Sequence, residues 1–187
     1  MIIHGNEVLI GGIEKRAIVI VDYDPSWADK FKHHARIIAD ALGETALSIE
    51  HVGSTSVPGL GAKPIVDIIA TVPDASNEGS YFPALIKAGY VLRVREPLWH
   101  EHRMFRTPAL DVHVHIFSAH CPEIGRQLAF RDWLRINEID RMRYEAVKRK
   151  LAAQDWADMN AYAQAKSEFV EEVIARALQQ GEQGLSK

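Results

Sequence analysis

The sequence contains one cysteine, Cys121, and no long hydrophobic run. A single cysteine excludes an internal disulfide framework and fits a reducing compartment. No apolar run approaches the ~18 residues that a membrane-spanning helix needs. The N-terminus also lacks the basic segment followed by an apolar segment that marks a signal peptide. We therefore expect a cytoplasmic protein with no membrane partner.

The sequence also lacks a surplus of basic residues. It carries 22 Lys and Arg against 25 Asp and Glu, for a formal net charge of -3. General nucleic-acid binding is not expected, because proteins of that class usually need a basic excess to neutralise phosphates. The 187 residues, 47% of them hydrophobic, are enough for one soluble domain with a sizeable core. Nothing in the composition indicates the oligomeric state.

Strand and helix patterns alternate through the first two thirds of the chain, and helical patterns follow from Pro122. We therefore predict an α+β domain with a helical C-terminal layer. The strand patterns lie at 17–21, 47–52, 65–72, 90–95, 100–107 and 110–117, and the helical patterns at 24–43, 76–88 and 122–177. Residues 1–16 are expected to be a loose lead-in, 17–178 a single domain and 179–187 a disordered tail.

A loop rich in glycine, serine and proline follows the strand pattern at 47–52. Glycine lets backbone amides approach an anion closely, hydroxyl groups add donors, and a lysine supplies a point charge suited to phosphate. The lysine is followed by proline, so the loop is not a P-loop. Such loops often only shape the chain, but we predict an anion-binding loop here. Its candidate ligand-binding residues are Gly53, Ser54, Thr55, Ser56 and Lys63.

A single carboxylate, Asp67, interrupts the apolar run 65–72 that follows the loop. A carboxylate in a buried strand is costly unless it is paired or binds a cation. The period of two places Asp67 and Ile69 on one face of this strand, and Val66 and Ile68 on the other. We therefore predict that Asp67 faces a ligand or a metal beside the loop.

Histidines alternate with apolar residues in two later strand patterns. His113 and His115 share one face with Asp111, and His100 and His102 share a face of the preceding strand. If the two strands form a hairpin, the imidazoles meet. Three interpretations stay open: a transition-metal site built by the four histidines, acid–base or phosphate-contacting groups, or structural histidines bonded within the sheet.

The segment 126–150 is rich in basic residues. Its basic side chains outnumber its acids, which is most often a solvated helix surface. The functional alternative is an anion-facing wall above the predicted pocket. The basic residues are Arg126, Arg131, Arg135, Arg141, Arg143, Lys148, Arg149 and Lys150.

Several of these motifs together resemble the GrpB family over roughly residues 17–178. The matching runs are DYDPSW at 22–27, EHVGSTSVPGL at 50–60, KPIVDI at 63–68, VHVH at 112–115, LAFRDWLR at 128–135 and YAQAKSEF at 162–169. The resemblance implies the nucleotidyltransferase superfamily, and with it a nucleotidyltransferase-like mixed β-sheet with flanking helices. Some relatives of this family are joined to the last enzyme of coenzyme A synthesis.

In that superfamily a Gly-Ser turn holds a nucleoside triphosphate, and paired acids bind two Mg²⁺ ions. Here Gly53 and Ser54 resemble the turn and Asp67 resembles the first acid, but Ile69 occupies the position of the second acid. Asp111 or His113 could replace the third acid.

The leading hypothesis is therefore a nucleotidyltransferase that acts on a phosphate-containing small molecule with Mg²⁺. The alternatives are a catalytically impaired module that binds a nucleotide or a coenzyme A-like ligand, and a histidine-coordinated metal enzyme. In the leading hypothesis the catalytic residues are Asp67, Asp111, His113 and His115, the metal ligands are Asp67, Asp111 and His113, and Arg103 joins the loop residues as a ligand contact.

Overall fold

A computed structural model of the protein describes residues 8–12, 14–15, 17–156 and 159–184. Within them the period-two and apolar runs form one six-stranded sheet. The strands are β1 (Val8–Leu9), β2 (Ser48–Val52), β3 (Val66–Val72), β4 (Val91–Glu96), β5 (His102–Arg106) and β6 (Val112–Ser118). The helices are α1 (Ser26–Leu42), α2 (Phe82–Lys87), α3 (Pro122–Ile136), α4 (Glu138–Ala152), α5 (Met159–Gln164) and α6 (Ser167–Gly184).

The sheet is mixed, with the strand order β1-β4-β5-β6-β3-β2. β3 and β6 run parallel, and all the other neighbouring strands in this order run antiparallel. Parallel pairing sets Asp67 opposite His113 and Ile69 opposite His115. The acid and the two histidines therefore lie on one face at the centre of the sheet.

The other face of the sheet packs on α1 and α2. Val66, Ile68, Ala70 and Val72 alternate along β3 and all point into this core, where they meet Ile38 and other buried residues of the same cluster. Burial of such side chains is the main contribution to stability. The face that carries Asp67 is covered instead by the C-terminal helices.

The C-terminal helices have a small core of their own above that face. Trp133, Leu134, Tyr144 and Val173 are buried together there. The indole N–H of Trp133 donates to the carboxylate of Asp140 at 2.8 Å, which satisfies a polar group that burial would otherwise leave unpaired. None of the helices in the described part of the chain has the length and apolar character needed to cross a membrane.

The predicted fold class, an α+β domain with a mixed sheet, flanking helices and a helical C-terminal layer, is confirmed. α1 begins after Asp24, whose carboxylate accepts a hydrogen bond from the Ser26 N–H at 2.8 Å. It ends before Gly43, which has a φ of 52°. Both boundaries agree with the sequence pattern.

Four segments differ from the prediction. Residues 17–21 form no strand, and Val21 makes only an isolated bridge to Ala62. The helix predicted at 76–88 is confined to α2. Val8–Leu9 is not a loose lead-in, because it pairs with β4. α6 continues to Gly184, through most of the predicted disordered tail. Residues 1–7, 13, 16, 157–158 and 185–187 lie outside the described residues.

Substitution of Ile68 by alanine tests the position of the main core. Ile68 is 0% exposed, so its truncation should lower the free energy of unfolding by about 2–5 kcal/mol. Ile139→Ala is the matched control, because Ile139 is 72% exposed; it should change stability by less than about 0.5 kcal/mol. Urea denaturation followed by circular dichroism measures both, and equal losses would contradict the assignment of this core.

Candidate functional site

The turn after β2 lies directly against the carboxylate of Asp67. Gly53 has a φ of 70°, and a Cβ at this position would lie 2.5 Å from Oδ2 of Asp67. No larger residue fits without displacing the acid, since real Cβ atoms do not approach other atoms this closely. The predicted contact between the loop and Asp67 is therefore present, and it requires glycine at position 53.

The hydroxyl groups that follow Gly53 mostly hold the loop itself. Ser56 Oγ donates to the Gly53 carbonyl at 2.6 Å, and Thr55 Oγ1 donates to the Ile65 carbonyl at 3.3 Å. Both residues are buried. Ser54 lines a cavity and hydrogen bonds to the side chain of Tyr144. The predicted role of Ser56 as a ligand donor is thus wrong, because its hydroxyl is used inside the turn. Thr55 lines the same cavity as Ser54, with its hydroxyl directed to the Ile65 carbonyl.

Asp67, His113 and His115 form a compact cluster on the covered face of the sheet. Oδ1 of Asp67 lies 3.3 Å from Nδ1 of His113 and 3.6 Å from Nε2 of His115. One potential ligand atom from each residue falls within 4.8 Å of the other two. Burial acts to raise the pKa of Asp67, but the hydrogen bonds and charge of the two histidines outweigh it and hold the pKa below its usual value. The cluster can hold a cation.

His102 and Glu96 lie behind this cluster. His102 Nε2 is 3.0 Å from His115 Nδ1, and His102 Nδ1 is 2.6 Å from Glu96 Oε2. Burial lowers the pKa of His102 well below its usual value. His100 lies in the turn before β5, with a φ of 55°, and its ring packs edge-on against Trp99. The prediction of four histidines around one metal is therefore wrong, because His102 and His100 do not face Asp67.

Two further predicted site residues lie elsewhere. Asp111 precedes β6, where the alternation of the strand no longer applies, and its carboxylate pairs with Lys30 of α1 at 2.7 Å. Arg103 alternates with His102 along β5, so it points to the opposite face and binds Glu78 at 2.6 Å. Asp111 therefore cannot act as a metal ligand beside Asp67, and Arg103 does not contact a ligand there.

Two adjoining cavities open beside Asp67. The smaller, of about 140 Å³, is called the lysine pocket below; its charged lining residues are Lys63, Lys148, Lys166 and Asp67. The larger, of about 500 Å³, lies between the sheet and the C-terminal helices. The residues that line both cavities are Gly53, Lys63, Ile65, Asp67, His113, Tyr144 and Lys166.

The lysine pocket concentrates positive charge. The Nζ atoms of Lys63 and Lys166 lie 5.2 and 4.5 Å from the centre of the Tyr162 ring. Lys148 is buried, and its Nζ donates to the Gly61 carbonyl. Burial, together with the charge of neighbouring lysines, lowers the pKa of both Lys148 and Lys166 to about 7. Three lysine side chains beside one carboxylate make a site for an anion, because a bound anion favours the charged forms of the lysines.

Only part of this pocket follows from the sequence patterns. Lys63 was predicted as a ligand contact, and Lys148 belonged to the basic segment for which an anion-facing wall was considered. Lys166, Tyr144 and Tyr162 were not recognised as site residues. The only available signal was their charge or polarity on helical patterns, which is also typical of solvated surfaces.

The large cavity combines apolar walls with charged groups. Trp99, Phe117 and Phe130 supply aromatic surface, and Arg93 and Arg106 supply positive charge. The Arg106 guanidinium binds the carboxylate of Glu14 through two hydrogen bonds of 2.6 and 2.9 Å. This cavity can therefore accept the less polar body of a ligand whose anionic end lies in the lysine pocket.

The family model described as GrpB protein matches residues 17–176. The chain belongs to the GrpB family. A UPF0157 protein of Halalkalibacterium halodurans is 50% identical over 173 residues, which cover 91% of this chain and 89% of that protein. The crystal structure of the conserved protein GrpB from Enterococcus faecalis has a TM-score of 0.77 and 31% identity, and the match covers 87% of this chain and 98% of that one.

The GrpB-family chain also matches part of a larger protein. A dephospho-CoA kinase of Mycolicibacterium paratuberculosis is 28% identical over 191 residues. The match covers 88% of this chain and 47% of that protein.

Substitution of Gly53 by alanine tests the contact between the turn and Asp67. Gly59→Ala is the matched control, because Gly59 has a φ of 78° and no atom lies within 4 Å of the point that a Cβ would occupy. Both substitutions should cost about 1–2 kcal/mol for the left-handed backbone. Gly53→Ala should cost roughly 1–3 kcal/mol more, because its Cβ clashes with the carboxylate. Urea denaturation measures both, and equal losses would contradict the contact.

Substitution of Lys166 by methionine tests the strain in the lysine pocket. Lys166 has a pKa of about 7 in the folded protein and about 10.4 when unfolded. The unfolded chain therefore binds more protons between these values, so the Lys166 contribution makes stability rise with pH from about 7 to 10. Lys166→Met should raise the free energy of unfolding at pH 7 by roughly 0.5–2 kcal/mol and flatten this rise.

The control for Lys166→Met is Lys87→Met at an exposed position of α2. It should leave both the stability and its pH dependence unchanged. Chemical denaturation at several pH values between 6 and 10 measures the two variants. A loss of stability in Lys166→Met at pH 7 would show that the lysine is not strained.

Proposed function

We propose that this GrpB-family protein binds a phosphorylated small molecule of the nucleotide class and transfers a nucleotidyl group from it. The observation that carries the proposal is the position of Asp67. This carboxylate lies at the junction of the lysine pocket and the large cavity, with the Gly53 turn against it. A phosphate-sized anion, the body of the same ligand and a cation all fit around that point.

The phosphate groups belong in the lysine pocket. Lys63, Lys148 and Lys166 line it, and Gly53 forms part of the same wall with its backbone held against Asp67. Inside a cavity, ammonium groups stabilise phosphate more than they do in water. A bound anion also offsets the burial and the repulsion from Lys63 that lower the pKa of Lys166, so binding should be coupled to retention of its proton.

The body of the ligand belongs in the large cavity. Its volume of about 500 Å³ falls in the range typical of small-molecule sites. Trp99 and Phe130 offer surfaces against which a base or another planar group can stack, and Arg106 of β5 lines the same cavity. The site thus has a cationic end, the lysine pocket, and a mainly apolar end, the large cavity. It favours a ligand that has an anionic group and a less polar body.

The Mg²⁺ predicted from the family resemblance does not fit the residues present. Mg²⁺ prefers oxygen ligands, whereas the cluster offers two imidazoles and one carboxylate. The position of the second acid is taken by Ile69, which is 0% exposed in an apolar cluster with Val52 and Phe117. Asp67, His113 and His115 would hold one cation, which would polarise a phosphoryl oxygen when bound.

Residues of the chain can stabilise and orient the reacting phosphates. The three lysines stabilise charge that develops on the phosphoryl oxygens and on the leaving pyrophosphate. The Gly53 turn fixes the position of the phosphates, and the C-terminal helices limit the access of water. Orientation of this kind supplies much of the catalysis in phosphoryl transfer.

A second candidate function is ligand binding without turnover. The buried Ile69 favours it, because a site without the second acid loses the two-metal arrangement. The relative named dephospho-CoA kinase indicates a coenzyme A-like ligand as one to include in the test. In this case the same cavities would serve as a sensor for a phosphorylated molecule.

Product analysis tests the proposal. Purified protein is incubated with nucleoside triphosphates, Mg²⁺, Mn²⁺ or Zn²⁺, and a panel of hydroxyl and phosphate acceptors, and pyrophosphate release is measured. Asp67→Asn should reduce turnover at least ~100-fold, because the cluster with His113 and His115 loses its carboxylate. Asp111→Asn is the matched control and should keep activity, since Asp111 pairs with Lys30 outside the site.

The same preparation distinguishes the two candidate functions. Calorimetric titration with nucleotides and coenzyme A measures binding directly. Binding that depends on Lys166 but gives no product with any acceptor supports the sensor. If no phosphorylated ligand binds, both candidates are wrong.

A further inference from the structure

A buried chain of hydrogen bonds leads from the interior of the protein to the Asp67 cluster. It runs from Glu96 through His102 to His115, with contacts of 2.6 and 3.0 Å. The side chains of Glu96 and His102 are 1% and 0% exposed. The rings of His102 and His115 are stacked, with their centres 5.2 Å apart. His102 therefore fixes the orientation of the His115 ring through Nδ1, the nitrogen that does not face Asp67.

The proton positions along these hydrogen bonds follow from the donors and acceptors of Glu96, His102 and His115. An ionised Glu96 carboxylate only accepts hydrogen bonds, so with Glu96 ionised the nearby Nδ1 of His102 carries a proton and donates to it. In a neutral His102, Nε2 is then an acceptor, and it must receive its hydrogen bond from Nδ1–H of His115. A neutral His115 accordingly has no proton on Nε2, the nitrogen that faces Asp67.

In that neutral form the lone pair of His115 Nε2 faces another acceptor, the carboxylate of Asp67, whereas a fully protonated His115 donates to this carboxylate. Oδ1 of Asp67 lies 3.6 Å from it, and Nδ1 of His113 lies 3.3 Å from the same oxygen. A carboxylate oxygen and an imidazole lone pair at this distance repel each other unless a cation lies between them, and this cation is either the proton of an imidazolium or a metal ion that replaces it. The cluster opens onto both cavities, so a cation there would keep positions for a ligand.

We infer that Asp67, His113 and His115 bind one divalent transition metal ion, and that His102 and Glu96 position His115 for it. A donor set of two imidazole nitrogens and one carboxylate oxygen suits Zn²⁺, Fe²⁺, Mn²⁺ or Co²⁺ better than Mg²⁺. A carboxylate behind a histidine fixes its tautomer and increases its basicity as a ligand. The role of the ion in catalysis rests on the proposed function, but its binding does not.

Metal titration of the protein tests the inference without an activity assay. Untagged protein is treated with a chelator, and Zn²⁺, Co²⁺ or Mg²⁺ is then added in a calorimeter. One equivalent of Zn²⁺ or Co²⁺ should bind, and Mg²⁺ should bind at least ~100-fold more weakly. The visible spectrum of the Co²⁺ form should show the ligand-field bands of nitrogen coordination. Saturation by Mg²⁺ with equal affinity, or no stoichiometric binding, would overturn the inference.

Variants separate the ligands from the positioning residues. His115→Ala should abolish stoichiometric binding. His102→Gln and Glu96→Gln should keep one equivalent but weaken it about 10–100-fold, with a shifted Co²⁺ spectrum. The controls are His100→Ala, at the cavity wall, and His33→Ala, on the exposed side of α1. Both should bind as the unmodified protein does, and loss of the metal in His100→Ala would overturn the ligand assignment.

A lysine variant makes failure of this inference distinguishable from failure of the proposed function. Lys166→Ala should lose the phosphorylated ligand and keep the metal. Stoichiometric metal binding without any phosphorylated ligand would leave the metal centre standing and overturn the proposed function. Binding of a phosphorylated ligand to a protein that takes up no transition metal would overturn the metal centre alone.

Discussion

The approach of the Gly53 backbone to the Asp67 carboxylate is the constraint on which the site depends. Antiparallel pairing of β2 and β3 brings the turn to the acid, and parallel pairing of β3 and β6 brings His113 and His115 beside it. A Cβ at Gly53 would collide with the carboxylate. The turn, the acid and the histidines are therefore positioned by the sheet itself, while the helices only complete the walls.

The site is built at a cost in stability. Lys148 and Lys166 have lowered pKa values because burial and mutual repulsion disfavour their charges. Asp67, by contrast, keeps a lowered pKa because the histidines stabilise its charge. Like charges held close together in a cavity are stable only when the rest of the fold compensates, and such strain is characteristic of functional sites. The core around α1 and β3 supplies that compensation.

Much of the sheet and part of the site follow from local patterns in the sequence. The period of two correctly separated Asp67 from the core face of β3 and placed His113 and His115 together, because alternation is a property of the strand alone. The prediction that Asp111 belongs to the site is wrong because Asp111 precedes β6 and pairs with Lys30 of α1. Lys166 was missed because it reaches Lys63 only through the packing of the C-terminal helices, which no local pattern encodes.

The most direct measurement is a crystal structure of the protein soaked with Co²⁺ and a non-hydrolysable nucleoside triphosphate. Anomalous scattering should place one metal ion among Asp67, His113 and His115. The phosphorus atoms should lie beside Lys63, Lys148 and Lys166, with the nucleoside in the large cavity. A metal bound elsewhere, or phosphates bound away from the Gly53 turn, would contradict the account.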